Sequence, residues 1–197
     1  MVTGGNLKSK TISPKYFKKP FTIYTPKETT TKDGNKKIDY SNKETNYQLI
    51  AYAGDVGIIN HIKYGFKAPD KIREDSFETY LHLDFLPALE DHLRTLRLYP
   101  REDGEQLDIS LLIIYMNKIY EIFPDFTCMS YDENYHVIGA GNEIALGSLY
   151  STIGEDPEYR VKIAIHACNH HTNCCSDKMD LITLTLDDYK EKIGKED

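Results

Sequence analysis

Ile138-Gly139-Ala140-Gly141-Asn142-Glu143 runs a strand end, a Gly-x-Gly turn and a helix start together without a spacer. The helix that follows reaches Tyr150 and is rich in small residues, among them Ala145, Gly147 and Ser148. The chain must therefore leave a strand, turn on glycines and enter a closely packed helix at once. A second helix comes about twenty residues later. Asp156 caps it, Pro157 takes the first helical position, and it ends in His171-Thr172-Asn173.

The remaining segments group by type. From Met1 to about Pro20 the chain is short and mixed, with a turn at Gly4-Gly5 and a break at Pro14. Phe21-Thr22-Ile23-Tyr24 alternates like a strand edge. The polar stretch from about 26 to 46 reads as a long exposed hairpin or an insertion. Tyr47 to Gly54 reads as a buried strand ending at glycine. Asp55 then caps a helix that carries Val56, Ile59 and Ile62 on one face and closes near Gly65.

A second long helix is expected from Ser76 to Leu96. Leu86, Leu89, Leu93 and Leu96 repeat at helical spacing, and Pro87 must kink it or define a new start. Leu107 to Met116 is an apolar strand, Lys118 to Phe123 alternates behind it, and Asn117 makes the turn. Tyr135 to Ile138 forms a short strand before the glycine turn. The late helix buries Val161, Ala164 and Cys168, or else the stripe of Ile163 and Ala167. A last strand spans Leu181 to Leu186, before a charged tail at about 187–197. Strands and helices come in blocks, which is an α+β arrangement.

The chain has 197 residues, enough for one well-buried domain over 1–197. A net charge of −7 argues against nucleic acid, which needs a basic face. The basic run from Lys8 to Lys37 reads as a solvated loop. No apolar run nears the roughly 18 residues that span a membrane, and no leader pattern opens the chain, so a cytoplasmic protein is expected. Four cysteines fit reduced thiols there.

This order of strands and helix pairs resembles the proteasome β-subunit family, most closely the bacterial HslV peptidase type. The resemblance is strongest over Tyr47–Gly54 with the helix after it, and from Tyr135 to about Leu184. It implies an αββα layered sandwich, two antiparallel sheets between two helical layers. It also implies a threonine peptidase, in which an N-terminal threonine attacks and its own amine takes the proton. A lysine holds that amine's charge in check, an aspartate pairs with the lysine, and the turn's N–H groups form the oxyanion hole.

Carried over residue by residue, the lysine falls on Lys15, with Lys10 or Lys18 as alternatives in register. The oxyanion turn falls on Gly139, Ala140 and Gly141. The turn's serine falls on Ala140, which has no hydroxyl, and the later helix's aspartate falls near Ala167, which has no carboxylate. The supporting aspartate falls just before Met1 and the threonine well before it. The expectation is a non-catalytic member of the family, acting in assembly or binding. The alternative is a threonine peptidase whose first strand lies upstream. The family's habits imply a homo-oligomer, with a peptide or protein substrate and an unfoldase ATPase as further partners.

The run from His166 to Cys175 invites a metal reading, with His166, His170 and Cys174 as zinc ligands, since two histidines at i, i+4 share a helix face. A single helix cannot aim all its ligand-type side chains at one ion, and four-ligand sites come as separated pairs. Structural packing is the first expectation, no cofactor is required, and zinc or a monovalent cation is the alternative. Acidic pairs such as Asp187-Asp188 read as solvated. Gly139-x-Gly141 lacks the Lys-Ser/Thr of a phosphate loop.

Overall fold

The computed structural model describes residues 2–4, 16–24, 27–30, 36–39, 43–71, 76–98, 107–115, 118–173 and 179–181. The strands are β1 Val2–Gly4, β2 Tyr16–Tyr24, β3 Lys27–Thr30, β4 Lys36–Asp39, β5 Lys43–Gly54, β6 Ile109–Tyr115, β7 Lys118–Ile122, β8 Cys128–Tyr131 and β9 Val137–Gly139. The helices are α1 Val56–Asn60, α2 Phe77–Tyr80, α3 Leu86–Thr95, α4 Asn142–Ser151 and α5 Pro157–His171. A π-helical turn over His61–Gly65 prolongs α1, and another over Leu81–Phe85 joins α2 to α3.

β5 is the spine of a five-stranded antiparallel sheet in the order β2-β5-β6-β7-β8. Phe17, Ile50, Tyr52, Leu111, Ile113 and Tyr120 share its first face and pack against Ile59, Ile62, Phe85, Leu89 and Leu93 of the first helices. The opposite face presents Ala51 and Leu112 to Ile138 of β9. Beyond β9, Val137 packs with Ala145 and Leu149 of α4 and with Ala164 and Cys168 of α5. The layers therefore run helix, sheet, sheet, helix. Among the described residues, eighteen buried apolar side chains form the core under α1–α3 and five form the core under α4 and α5.

Local sequence explains the element ends. The Asp55 carboxylate accepts from the N–H groups of Gly57 (2.6 Å) and Ile58 (3.1 Å), which starts α1. Ser76 and Asp156 cap α2 and α5 in the same way. Pro87 does not break the helix: the backbone stays right-handed helical from α2 through Phe85 and Leu86 into α3, and Pro87 follows directly after the π-helical turn, where Leu86 N–H reaches back to Leu81 O. The wider turn absorbs the hydrogen bond that proline cannot make.

Several expectations need correcting. β2 begins at Tyr16 and runs through Pro20, which an edge strand tolerates because its outer N–H positions need no ladder partner. Part of that edge is closed by Lys71, whose N–H donates to Thr22 O at 2.7 Å. The polar stretch holds a hairpin, β3 with β4, and β5 already starts at Lys43. β8 was not foreseen. Val56 and Leu96, 41% and 39% exposed, lie at helix ends beyond the reach of the core. The late helix buries Ala164 and Cys168, the first of the two stripes considered. β1 and β9 pair in parallel, not antiparallel, which the long chain between them permits. Lys10, Lys15, Asp33-Gly34, Cys174, the strand after Leu181 and the charged tail lie outside the described residues.

The buried tyrosines set an alkaline limit. Burial, then the nearby Glu78 charge, pushes the Tyr120 phenol up to about 12, and burial pushes Tyr80 and Tyr131 above their ordinary value too. A folded pKa above the unfolded one stabilises the protein below the unfolded value of 10.0, and that stability is lost as pH rises through the folded value. The expected result is loss of fold between about pH 10 and 12. Phenolate absorbance should show a late tyrosine class that merges with the early one in denaturant. A single class in the native protein would contradict the burial.

Candidate functional site

β9 carries the glycine turn. His136 meets Glu121 of β7 at one end, and Ile138 rests on Ala51 of β5 and Leu112 of β6 further along. β9 thus crosses the sheet from β7 toward β5, and its turn is carried toward the β2 side. Gly139 has φ 92° and Gly141 has φ 80°, left-handed values that require glycine. Gly141 then occupies the N-cap position of α4 with no side-chain cap. Ala140, between them, is exposed.

Two contacts fix the turn from behind. The Cys168 thiol of α5 donates to Gly141 O at 3.1 Å, and Ala145 N–H donates to the same oxygen at 3.0 Å. Ala145 and Ala164, both fully buried, have side chains small enough for α4 and α5 to approach closely. Buried Arg160 ties their other ends, donating to Leu149 O at 2.8 Å and lying 4.9 Å from the Tyr135 ring. A cation at the C-terminus of α4 also suits that helix's dipole.

The expected site residues are only partly brought together. Gly139, Ala140 and Gly141 form one turn, and β1 runs beside it with Thr3 opposite Ile138 and Gly4 opposite Gly139. Lys18, an alternative in register to Lys15, pairs with Leu49 on the sheet face shared with Ala51, the face turned toward β9. From the stretch of α5 around Ala167, the Cys168 side chain reaches the turn. His166 and His170 are exposed on α5, and no group of three metal-ligating side chains gathers among the described residues. No described helix is long and apolar enough to cross a membrane.

Sequence reading missed two buried polar groups. One is Glu121, whose carboxylate accepts from Tyr131 Oη at 2.7 Å and lies 2.7 Å from His136 Nε2. The His136 and Tyr131 rings stack at 3.8 Å. This cluster joins β7 and β8 to the segment that enters β9. The other is Lys19, which shares the apolar phase of β2 with Phe17 and Ile23, a signal visible in the sequence.

These layers, with a glycine turn delivered between sheet and helices, define an α+β layered sandwich of the proteasome-like fold. Among solved structures the chain is similar to Thiobacillus denitrificans BPH, with a TM-score of 0.52 and 18% identity over 80% of this chain and 87% of that one. It is also similar to the same protein in complex with epoxomicin, with a TM-score of 0.53 and 16% identity over 83% and 90%. Eukaryotic HslV from Trypanosoma brucei aligns more loosely, with a TM-score of 0.41 and 14% identity over 84% and 91%. No protein-family model matches the sequence, and no curated protein does.

Proposed function

We propose that this chain is a proteasome-like subunit that works by binding and assembly, with a glycine turn that has lost its acyl-transfer chemistry. The observation that carries the reading is the contact behind the turn. Where the resemblance calls for a serine hydroxyl and, near Ala167, a helix carboxylate, this chain has the methyl groups of Ala140 and Ala167, and the turn is braced from α5 by the thiol of Cys168. A thiol that is 2% exposed and hydrogen-bonded to a carbonyl is a packing group, not a nucleophile or a base. Self-association is part of the proposal. Tyr150, Ile153 and Tyr159, 71%, 60% and 49% exposed at the α4–α5 junction, are apolar side chains that an oligomer would cover.

The test uses epoxomicin, the ligand of the BPH complex. Protein from its native source is incubated with epoxomicin, then measured by intact mass, melting temperature and peptide hydrolysis. The expected result is no added mass, no shift and no hydrolysis. Added epoxomicin mass on a chain beginning with threonine would replace this proposal with the threonine peptidase. Lys18, on the turn-facing side of β2, would then be the first residue to mutate. Light scattering of the same sample reads the oligomer, and a monomer at all concentrations would overturn the assembly part.

A further inference from the structure

The helix-facing side of β2 and β5 holds buried polar groups that take no part in the glycine turn. Lys19 stands directly opposite Gln48 in the ladder, and Asn46 lies two residues along β5 on the same face. Cross-strand and diagonal neighbours of this kind are within side-chain reach of one another. None is open to bulk solvent: Lys19 is 6% exposed, Asn46 1% and Gln48 0%.

Their hydrogen bonds do not balance. The Lys19 ammonium donates to Ile62 O at 2.9 Å and to Lys63 O at 3.2 Å, in the π-helical turn that prolongs α1. The Phe17 and Phe66 rings lie 6.0 and 5.5 Å from it. An ammonium carries three N–H groups, so one is left over. Among the described residues no carboxylate pairs with Lys19. Gln48 Nε2, Gln48 Oε1 and Asn46 Nδ2 have no hydrogen-bond partner there either.

Such a group of side chains is costly as it stands. Each unpaired buried amide is destabilising, and a buried charge without a counter-charge more so. Burial also pulls the Lys19 amine below its ordinary value. N–H donors outnumber the acceptor atoms: an ammonium N–H and two amide NH2 groups stand against two amide oxygens, Gln48 Oε1 and Asn46 Oδ1. A divalent cation is the wrong complement, because no carboxylate is present to hold it. A small anion is the right one, since it accepts from all three donors and neutralises the lysine.

We propose that Lys19, Gln48 and Asn46 form a buried binding site for a small monovalent anion of the chloride or bromide kind. The bound anion would join β2 and β5 to the first helix through Lys19, on the opposite face of the sheet from the glycine turn.

Chloride NMR on the full-length protein tests this, with Gln48→Leu as the variant. Wild-type protein should broaden the chloride resonance, bromide should reverse the broadening, and Gln48→Leu should return the line to its bulk width. Chloride in place of gluconate should raise the melting temperature of the wild type and leave the variant unmoved. Crystals of the wild type grown in bromide give a second reading that needs no variant, an anomalous peak in contact with Lys19 Nζ. Equal line widths in both proteins, or water in place of that peak, would overturn the site. So would a Gln48→Leu protein more stable than wild type in both salts, because the amide would then have no ligand to lose.

Discussion

Gly54→Ala is expected to cost this protein at least 3 kcal/mol of stability, roughly 10 °C of melting temperature for a chain of this size. Gly54 ends β5 with φ +109°, where a side chain is strained before any neighbour is considered. A methyl group there would lie 2.0 Å from Asp108 O and 2.9 Å from Ile109 Cα. Both are backbone atoms, one in β6 and one in the residue just before it, so no rotamer change relieves the overlap. The same oxygen accepts from Asp55 N–H at 2.6 Å, so moving it also disturbs the capped start of α1. Gly147→Ala is the control. Its methyl group meets nothing within 4 Å, and alanine in mid-helix should stabilise by about 0.5–1 kcal/mol. Thermal melts of both variants check the pair. A Gly54→Ala protein that melts with the wild type would mean that β5 and β6 do not meet as closely as described.

Glu121→Leu should destabilise by about 3–5 kcal/mol, the usual result of removing one partner of a buried polar pair. The substitution strands the Tyr131 hydroxyl and the His136 ring, both of which use the Glu121 carboxylate. Glu121→Gln keeps an acceptor of the same shape and should cost much less. The damage should also be local to the site. His136 leads directly into β9, so amide exchange in Val137–Gly139 should speed up before exchange in β5 does. Denaturant melts with residue-level exchange read both effects. Equal losses for Leu and Gln, with β9 no more open than β5, would show that the carboxylate does not anchor this strand.

The cluster shows where sequence reading stops. Alternation along Lys118–Phe123 identifies β7, yet nothing in it says that Glu121 faces a second sheet rather than water. The reason is physical. Each strand of the five-stranded sheet is covered on both faces where β9 crosses it, and a strand's own pattern does not record what lies above it. Lys19 is the opposite case: its phase with Phe17 and Ile23 was readable, although its partners, Ile62 O and Lys63 O, come from a distant helix. At the candidate site the glycine turn was legible because left-handed backbone leaves a compositional mark. The thiol behind the turn, Cys168, left no such mark, because helix rotation about a turn is set by packing.

The sequence by itself determined what is decided within a few residues. The caps at Asp55, Ser76 and Asp156, the π-helical turn before Pro87, the glycine turn at 139–141 and the α+β order all follow from local hydrogen bonding and backbone sterics. Tertiary structure alone decided the parallel pairing of β1 with β9, the burial of Glu121 with His136 and Tyr131, the enclosed group at Lys19 and Gln48, and the thiol that braces the glycine turn. Each of these joins groups from separate elements, and only the stacking of layers brings them within hydrogen-bond reach.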